Sequence, residues 1–281
     1  MIGIIGGSGF EKFDEFELVE ELSTDTPFGP ASSGLKRVRV DGVEALFVSR
    51  HGAHHELLPS EVNYAANIYA LKYHGAKAII SFSAIGSLQA EMKPGDMVVP
   101  NQYVDRTKGF RRRSFCGEGI VGHVSLAEPV CMDLVSEVKA IAQSQSLSAH
   151  FKATYVCIEG PYFSTKAEAK MHRQMGFDVI GMTNFPEYGL AREAGLPYVP
   201  CCFVTDFDCW DDSIPHVTVQ EVIEIMRQNN SKAFGVLKSF LKLDQVWEKS
   251  KVQDQGLKTG LFMPMEAVPA DKRDWLEVLR S

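Results

Sequence analysis

The chain has 281 residues, of which 45% are hydrophobic, and this suits one large α/β domain or two small ones with a sizeable core. A formal net charge of −7 leaves no basic surplus and argues against nucleic acid as the main partner, although local basic groups and helix N-termini can still bind small anions. None of the six cysteines forms a C-x-x-C pair, no apolar stretch reaches membrane-spanning length, and the N-terminus lacks the basic region of a signal peptide, so we expect a cytoplasmic protein without a zinc site.

The first predicted strand, Met1–Ile5, runs into the turn Gly6-Gly7-Ser8-Gly9. Glycines let the backbone approach a ligand closely, and Ser8 adds a hydroxyl. The turn is not a dinucleotide fingerprint, because Lys12 stands where the third glycine would be, and no Gly-Lys-Ser/Thr follows to make a Walker loop. On these residues alone, a plain turn and an anion site both remain open.

Two strand-like runs, Leu35–Val40 and Val43–Ser49, are joined by an Asp-Gly turn and predict a hairpin. The second run ends in Arg50-His51, with two more histidines and a glutamate close behind. An arginine fork with a second donor suits a phosphate dianion. A metal site is a competing interpretation, although the His-Glu-x-x-His spacing is absent. A solvated polar loop is the third possibility at this point.

The middle of the chain alternates predicted helices and strands. We predict helices at 60–74, 132–147, 165–175, 186–194 and 217–241, and strands at 77–84, 97–100, 154–159 and 178–182. The strand at 77–84 brings another hydroxyl, Ser83, to a strand end followed by a glycine. The run Arg111-Arg112-Arg113 is short and isolated, and we interpret it as a solvated surface.

An apolar run from Cys201 predicts a buried strand that stops at two carboxylates, Asp206 and Asp208. Residues two apart on an extended chain point the same way, so both side chains are expected to face one crevice at the end of an open α/β sheet. The alternative on this stretch alone is a polar loop in which Asp208 caps the next turn.

Six short polar clusters occur in order along the chain: Gly6–Gly9, Asp25–Gly29, Arg50–Gly52, Glu159–Ser164, Met182–Glu187 and Thr205–Trp210. Together they resemble the 5′-methylthioadenosine phosphorylases of the trimeric purine nucleoside phosphorylase family, from residue 2 to about residue 241. The resemblance implies one α/β domain over 1–281, with a central mixed sheet partly closed into a barrel and flanked by helices. It also implies a homotrimer with active sites at subunit interfaces, and it makes 243–281 a C-terminal extension that is a candidate cover for the active site.

The resemblance assigns roles to individual positions. The phosphate-binding positions are Ser8, Arg50, His51, Ser83, Ala84 and Thr183. The substrate-binding positions are Phe163 and Ser164 at the purine, Met182 under the ribose, Val219 and Val222 at the methylthio group, and His123, which reaches into a neighbouring subunit's site. The catalytic positions are Asp206, as leaving-group acid and reader of the 6-amino group, and Asp208, which holds the loop.

The implied reaction is the reversible phosphorolysis of 5′-methylthioadenosine to adenine and 5-methylthioribose 1-phosphate, a step of purine and methionine salvage. Inorganic phosphate is the co-substrate, and neither a metal nor another cofactor is expected. Relatives that cleave 6-oxopurine nucleosides resemble one another in having Asn where this chain has Asp206, so the carboxylate argues for a 6-amino purine. The alternatives are a phosphorylase for methylthioinosine or other purine nucleosides, a related hydrolase, and an inactive nucleoside-binding protein. Ser8 and Tyr162 depart from the Thr and Arg that close relatives often carry.

Overall fold

The structure is a computed structural model that describes residues 1–9, 16–211 and 219–281, without the side chains of residues 219, 221 and 222. Its strands are β1 (Ile2–Gly6), β2 (Glu17–Leu22), β3 (Leu35–Val40), β4 (Val43–Ser49), β5 (Ala78–Ser87), β6 (Met97–Val98), β7 (Gln102–Arg106), β8 (Ala149–His150), β9 (Thr154–Ile158), β10 (Val179–Gly181) and β11 (Tyr198–Asp206). Its α-helices are α1 (Tyr64–Tyr73), α2 (Met132–Ser144), α3 (Lys166–Gln174), α4 (Asn184–Glu193), α5 (Val219–Leu241), α6 (Leu257–Gly260) and α7 (Arg273–Arg280).

The strands form one mixed sheet that branches at its long central strand, β5. The main path runs in the order β2-β3-β4-β1-β5-β10-β9-β7, while β11 pairs with β5 along most of its length and leads on to β6 and β8. Strand β1 pairs in parallel with the first residues of β5, and β10 pairs antiparallel with its last two. This mixed sheet with flanking helices confirms the predicted fold class, and partial closure into a barrel stays a prediction.

The hairpin of β3 and β4 has the predicted bounds, and its turn residues Asp41 and Gly42 both have positive φ, as an Asp-Gly turn requires. Helix α1 begins four residues later than predicted. Its N-cap is Asn63, whose side chain accepts a hydrogen bond from the backbone N–H of Ala66. The side chain that caps the free N–H groups therefore sets the start of this helix, and the Pro59-Ser60 pair does not.

Three strands were not predicted: β2, β7 and β8. Strand β2 forms one edge of the sheet and has the sequence ELVEEL, with five of its six residues exposed. An edge strand can be charged and exposed because it packs on one side only, and charge there discourages pairing with other chains. Such a strand lacks the apolar alternation by which strands are predicted.

Most of the buried apolar side chains form one continuous core, and the C-terminal segment 243–281 belongs to it. Trp275, Leu276 and Leu279 of α7 and Leu257 of α6 are all buried in this cluster. Among the described residues no helix combines the length and apolar character needed to span a bilayer.

Strand β11 contains an irregularity just before its end. Its parallel pairing with β5 matches Val204 with Ile85 and then Asp206 with Gly86, so that Thr205 is an extra residue without a partner in the register. Such a bulge bends the strand and changes the direction of the side chains beyond it.

Candidate active site

A cavity of about 350 Å³ lies where β1, β4, β5, β10 and β11 end. This volume is within the range of small-molecule sites. It is lined by all of the predicted phosphate, ribose and purine positions: Ser8, Arg50, His51, Ser83, Ala84, Phe163, Ser164, Met182, Thr183, Asp206 and Asp208. Residues from distant parts of the sequence thus meet at one point because the strands that carry them end together.

One end of the cavity, which we call the phosphate end, consists of Ser8, Arg50, His51, Ser83 and Thr183 with the backbone of Ala84. The side chains of Arg50, His51, Ser83 and Thr183 are all less than 10% exposed. Position 7, in the turn after β1, must be glycine, since a Cβ there would lie 2.5 Å from the carbonyl oxygen of Phe82. The turn can therefore lie directly on the end of β5.

The imidazole of His51 has a defined proton position. Its Nδ1 lies 2.9 Å from the carbonyl oxygen of Leu57. A carbonyl can only accept, so Nδ1 carries the hydrogen, and the neutral ring offers Nε2 as an acceptor. His51 can donate from Nε2 only when the ring is protonated, whereas the sequence analysis treated it simply as a second donor.

The other end, which we call the purine end, contains Phe163, Ser164, Asp206 and Asp208. The Asp206 Oδ2 accepts a hydrogen bond from the Thr205 hydroxyl at 2.7 Å, and its Oδ1 accepts one from the backbone N–H of Asp208 at 2.7 Å. The Oδ2 of Asp208 and the hydroxyl of Ser164 are buried and have no hydrogen-bond partner among the described residues. Buried polar atoms without partners are costly, so this end is prepared for a polar ligand.

Both carboxyl groups bind their protons more tightly than an ordinary aspartate does. Burial raises the pKa of Asp206, although hydrogen bonds from Thr205 and Asp208 oppose the shift. Burial, with the charge of Asp206 added to it, raises the pKa of Asp208 to about 6, and the nearby Ser164 hydroxyl opposes the shift without completing a hydrogen bond in good geometry. The carboxyl of Asp208, with a pKa of about 6, therefore changes its protonation close to neutral pH.

The two carboxylates share the cavity, but not for the reason given by strand alternation. Strand β11 ends at Asp206, and Asp208 has φ +51°, so the chain is no longer extended between them. The Asp206 side chain accepts from the N–H two residues on, which folds the chain into a tight turn. The predicted meeting of the two side chains is correct, and the extended geometry behind it is wrong.

Arg111 is the main error of the sequence analysis, which placed it on a solvated surface with its two neighbours. Arg112 and Arg113 are exposed, but Arg111 is 5% exposed. Its guanidinium donates to the carbonyl oxygens of Met182 at 2.6 Å and Phe185 at 2.7 Å, and to the carboxylate of Glu159 at 2.7 Å. It therefore joins the floor of the cavity to the loop that carries Phe163 and Ser164.

A third part of the lining is formed by His55, Glu56, Leu57, Leu58, Pro59 and Met226. Met226 lies on α5, four residues after Val222 and seven after Val219, so these positions share one helical face. The side chains of Val219 and Val222 lie outside the described residues, and their predicted role at a methylthio group stays a prediction. The spacing of Met226 from the two valines was a usable signal for this part of the lining.

His123 does not line the cavity of its own chain. It is exposed and packs edge-on against Phe262, with ring centroids 5.2 Å apart. None of the cavity-lining residues comes from 243–281. Tyr162, whose effect was uncertain from the sequence, is 85% exposed and also lies outside the lining. Among the described residues, no three His, Cys, Asp or Glu side chains lie in an arrangement that would hold a metal ion.

Comparisons with known proteins give a consistent result. The family model of the phosphorylase superfamily matches residues 1–242. The chain is 40% identical to the S-methyl-5′-thioadenosine phosphorylase of Geobacter sulfurreducens over 99% of this chain and 97% of that protein, and 41% identical to that of Thermosynechococcus vestitus with the same coverage. A methylthioadenosine phosphorylase from an Antarctic soil metagenomic library has a similar crystal structure, with a TM-score of 0.90, 42% identity, and coverage of 99% of this chain and 98% of that chain. The Schistosoma mansoni methylthioadenosine phosphorylase in complex with adenine has a TM-score of 0.83 and 37% identity, covering 88% of this chain and 95% of that chain.

Proposed function

The chain belongs to the phosphorylase superfamily and, within it, to the S-methyl-5′-thioadenosine phosphorylases, and from this membership we propose that it catalyses the reversible phosphorolysis of 5′-methylthioadenosine. The products are adenine and 5-methylthioribose 1-phosphate, which return the purine and the methylthio group to salvage. The observation that carries the proposal is that one cavity joins a phosphate end to a pair of half-buried carboxyl groups.

The phosphate end supplies the nucleophile. Hydrogen phosphate is held by Arg50, the hydroxyls of Ser8, Ser83 and Thr183, and the N–H of Ala84, below the C1′ of a nucleoside that rests on Met182. A phosphate oxygen bonds to C1′ as the bond from C1′ to N9 breaks, and the negative phosphate stabilises the oxocarbenium-like ribosyl group between these events. At Nε2, the neutral His51 accepts a hydrogen bond from the P–OH group, so the phosphate hydrogen points to a defined atom.

The purine end assists the leaving group. The electron pair of the broken bond enters the purine, and protonation at N7 turns the purine into a neutral leaving group. Asp206 supplies this proton and accepts from the 6-amino group, Asp208 holds the loop in place, and Phe163 packs against the ring. Hydrogen phosphate gives its proton to Nε2 of His51 as the ester forms, and adenine takes one from the carboxyl group. Exchange with water then resets both groups, so the overall reaction from HPO₄²⁻ to the phosphate ester dianion neither consumes nor releases protons.

The test is the release of adenine from 5′-methylthioadenosine as a function of inorganic phosphate. We expect no release in phosphate-free buffer, saturation as phosphate is added, and no effect of a chelator. Replacement of phosphate by sulfate at equal ionic strength is the matched control. Release at an unchanged rate without phosphate would identify a hydrolase, and better turnover of methylthioinosine would identify the 6-oxopurine alternative.

We further propose that the protein is a homotrimer in which His123 enters a neighbour's site. Near His123 lie two large apolar side chains that a lone chain leaves exposed: Val121 at 53% and Phe262 at 74%. The backbone N–H of His123 also bonds to the carbonyl oxygen of Gly260, so the 123 loop and the C-terminal extension form one unit. We propose that the extension, through this unit, covers the 5′ substituent of the nucleoside bound in a neighbouring subunit.

A mass measurement in solution tests the assembly, with three times the mass of one chain as the expected value. His123→Ala should raise the KM for the nucleoside while leaving that for phosphate unchanged. A fully active monomer would contradict both parts of the proposal. The six free thiols suit the reducing cytoplasm, which we propose as the location and which cell fractionation would test.

A further inference from the structure

The guanidinium of Arg50 has nearly all of its hydrogen-bond donors occupied by the protein. Its side chain is fully buried. Nε and Nη2 donate to the two carboxylate oxygens of Glu187 at 2.7 and 2.8 Å, Nη2 also donates to the Ser81 hydroxyl at 2.6 Å, and Nη1 donates to the Phe82 carbonyl at 2.9 Å. A guanidinium has five N–H bonds, so one N–H of Nη1 remains. Nη1 lies beside Gly7, which lines the phosphate end.

Glu187 is fixed as firmly as the arginine that it holds. It lies on α4 and is 1% exposed. Its Oε1 accepts from the Ser81 hydroxyl at 2.6 Å and from the Tyr198 hydroxyl at 2.8 Å, in addition to Arg50. Ser81 lies on β5 and Tyr198 begins β11, so one carboxylate connects the helix to two central strands.

The pairing also decides the charge that a ligand meets. A bidentate arginine–carboxylate pair is neutral as a unit, and both partners are shielded from water. Phosphate at this end therefore meets one directed N–H from Arg50, with hydroxyls and a backbone N–H around it, and no uncompensated guanidinium charge. Selection of the anion then depends on the geometry of donors more than on attraction between charges.

We propose that Glu187, held by Ser81 and Tyr198, is the positioning residue of the phosphate site: it directs one N–H of Arg50 into the cavity and cancels the charge of the guanidinium. Glu187 itself does not line the cavity, so it acts through Arg50. The proposal rests on the proposed phosphorolysis, in which the anion at this end is the nucleophile.

Two variants test the proposal at different strengths. Glu187→Gln removes the charge and one acceptor position facing Arg50, and we expect kcat/KM for phosphate to fall by at least about 30-fold, as for a broken buried charge pair. Tyr198→Phe keeps both bonds between Arg50 and Glu187 and removes one donor, so we expect a loss of about two- to tenfold. In both variants the KM for the nucleoside should change by less than about twofold.

Two matched controls separate positioning from general stability. Glu193→Gln changes a buried glutamate on the same helix that accepts from Ser114 and Phe115 and does not line the cavity. Tyr188→Phe changes a buried tyrosine next to Glu187. Both controls can lower Tm, but neither should move the KM for phosphate by more than about twofold.

The measurements are the two KM values and the Kd of inorganic phosphate by calorimetry without nucleoside. A rise in phosphate KM and Kd confined to the Glu187 and Tyr198 variants supports the proposal. Equal changes in both KM values, or an unchanged phosphate KM in Tyr198→Phe, overturn it, and the latter result decides the matter if Glu187→Gln does not fold. If the parent needs no phosphate for turnover, the proposed function fails, and the calorimetric comparison of the parent with Tyr198→Phe still decides the role of Glu187.

Discussion

The two ends of the cavity differ in how far they belong to the folded core. At the phosphate end, Arg50, His51, Ser83 and Thr183 are all buried, and the bonds of Arg50 join several strands and a helix. At the purine end, Phe163 is 69% exposed, and the Ser164 hydroxyl and the Asp208 Oδ2 have no hydrogen-bond partner among the described residues. The phosphate end is therefore completed by folding, and the purine end is completed by its ligand.

Because of this difference, we expect substitutions at the two ends of the cavity to affect stability and activity in different ways. Removing a group that is bonded within the core leaves its buried partners unsatisfied, which costs about 1–3 kcal/mol for each. Removing a group that waits for a ligand costs the fold little and can even stabilise it. Changes at the phosphate end should thus affect folding and activity together, whereas changes at the purine end should separate them.

The largest separation is expected for Asp206→Asn at the purine end. Asn still donates a hydrogen bond but cannot give up a proton, so kcat/KM for 5′-methylthioadenosine should fall by about 10²–10⁴-fold. The value for methylthioinosine should fall less, because an amide N–H can serve O6. The measurement is the ratio of kcat/KM for the two nucleosides in the parent and the variant.

Asp178→Asn provides the control, since Asp178 accepts from the Thr154 backbone N–H at 2.7 Å and lies outside the cavity. It should leave the ratio of the two nucleosides unchanged. If Asp206→Asn also leaves this ratio unchanged, Asp206 does not recognise the sixth position of the purine. The purine end would then have no assigned residue that selects the 6-amino purine.

A large effect on folding is expected for Arg111→Lys, because Arg111 connects the cavity floor to the purine loop. Lysine keeps the charge, but its three donors from a single nitrogen cannot reach the separate carbonyls of Met182, Phe185 and Glu159. We expect a loss of about 2–4 kcal/mol in the free energy of unfolding and about a tenfold loss of kcat/KM for the nucleoside. Denaturant unfolding and kinetics measure the two losses.

Arg113→Lys is the matched control for this variant, since Arg113 is exposed and pairs with Asp105 at 3.2 Å. It should change the free energy of unfolding by less than about 0.5 kcal/mol. Equal stability of the two variants would mean that the contacts of Arg111 contribute nothing to the fold.

A smaller effect, of opposite sign for stability, is expected for Asp208→Asn. Burial raises the folded-state pKa of Asp208 to about 6 from its ordinary value of 3.8, so its stabilising contribution is present below about pH 4 and is lost as the pH rises through 6. Asparagine does not ionise, so the variant does not lose this stability as the pH rises. At pH 8 the variant should be more stable than the parent by about 1–2 kcal/mol, after allowance for partial exposure.

Thermal or denaturant unfolding at pH 4 and pH 8 checks this expectation. The gain should be much smaller at pH 4, where the parent's carboxyl is protonated in the folded state and only partly ionised in the unfolded state. A gain of the same size at both pH values would point to the new amide's hydrogen bonds as the cause, and no gain at pH 8 would contradict the raised pKa.

The smallest effect on the fold is expected for Phe163→Ala. Stacking of an aromatic ring on a base contributes about 1–3 kcal/mol, so the KM for the nucleoside should rise by about tenfold or more. The free energy of unfolding should change by less than about 0.5 kcal/mol, because the side chain is mostly exposed. Tyr162→Ala, at the neighbouring exposed position outside the cavity, should change neither quantity, and a loss of stability in Phe163→Ala would contradict the division between the two ends.

The sequence was most informative where local rules decide the structure. The Asp41-Gly42 turn predicts its hairpin because positive φ at both positions is a local requirement. The apolar run of β11 likewise predicts a buried strand, since a strand buried on both faces has few polar residues. Thr165 was placed at the start of the predicted helix, and in the structure its side chain forms a capping box with Glu168.

The sequence was least informative where the partner of a charge lies far along the chain. Arg111 and its exposed neighbours are the same residue type, and contacts 48, 71 and 74 residues away bury one of the three. Glu187 was part of a recognised cluster, but its partner Arg50 lies 137 residues earlier. Burial of an ion pair depends on tertiary packing, which neither periodicity nor local charge pattern contains.

The unpaired Thr205 in β11 has a consequence for anyone who would transfer this chemistry to another protein. Thr205 and Asp206 are consecutive, yet both line the cavity. Consecutive side chains of a regular strand point to opposite faces, so on such a strand only one of them would reach a ligand. The feature to be grafted is therefore the dipeptide Thr205-Asp206, of which Thr205 is the inserted residue, and deleting Thr205 should do more harm than substituting either side chain.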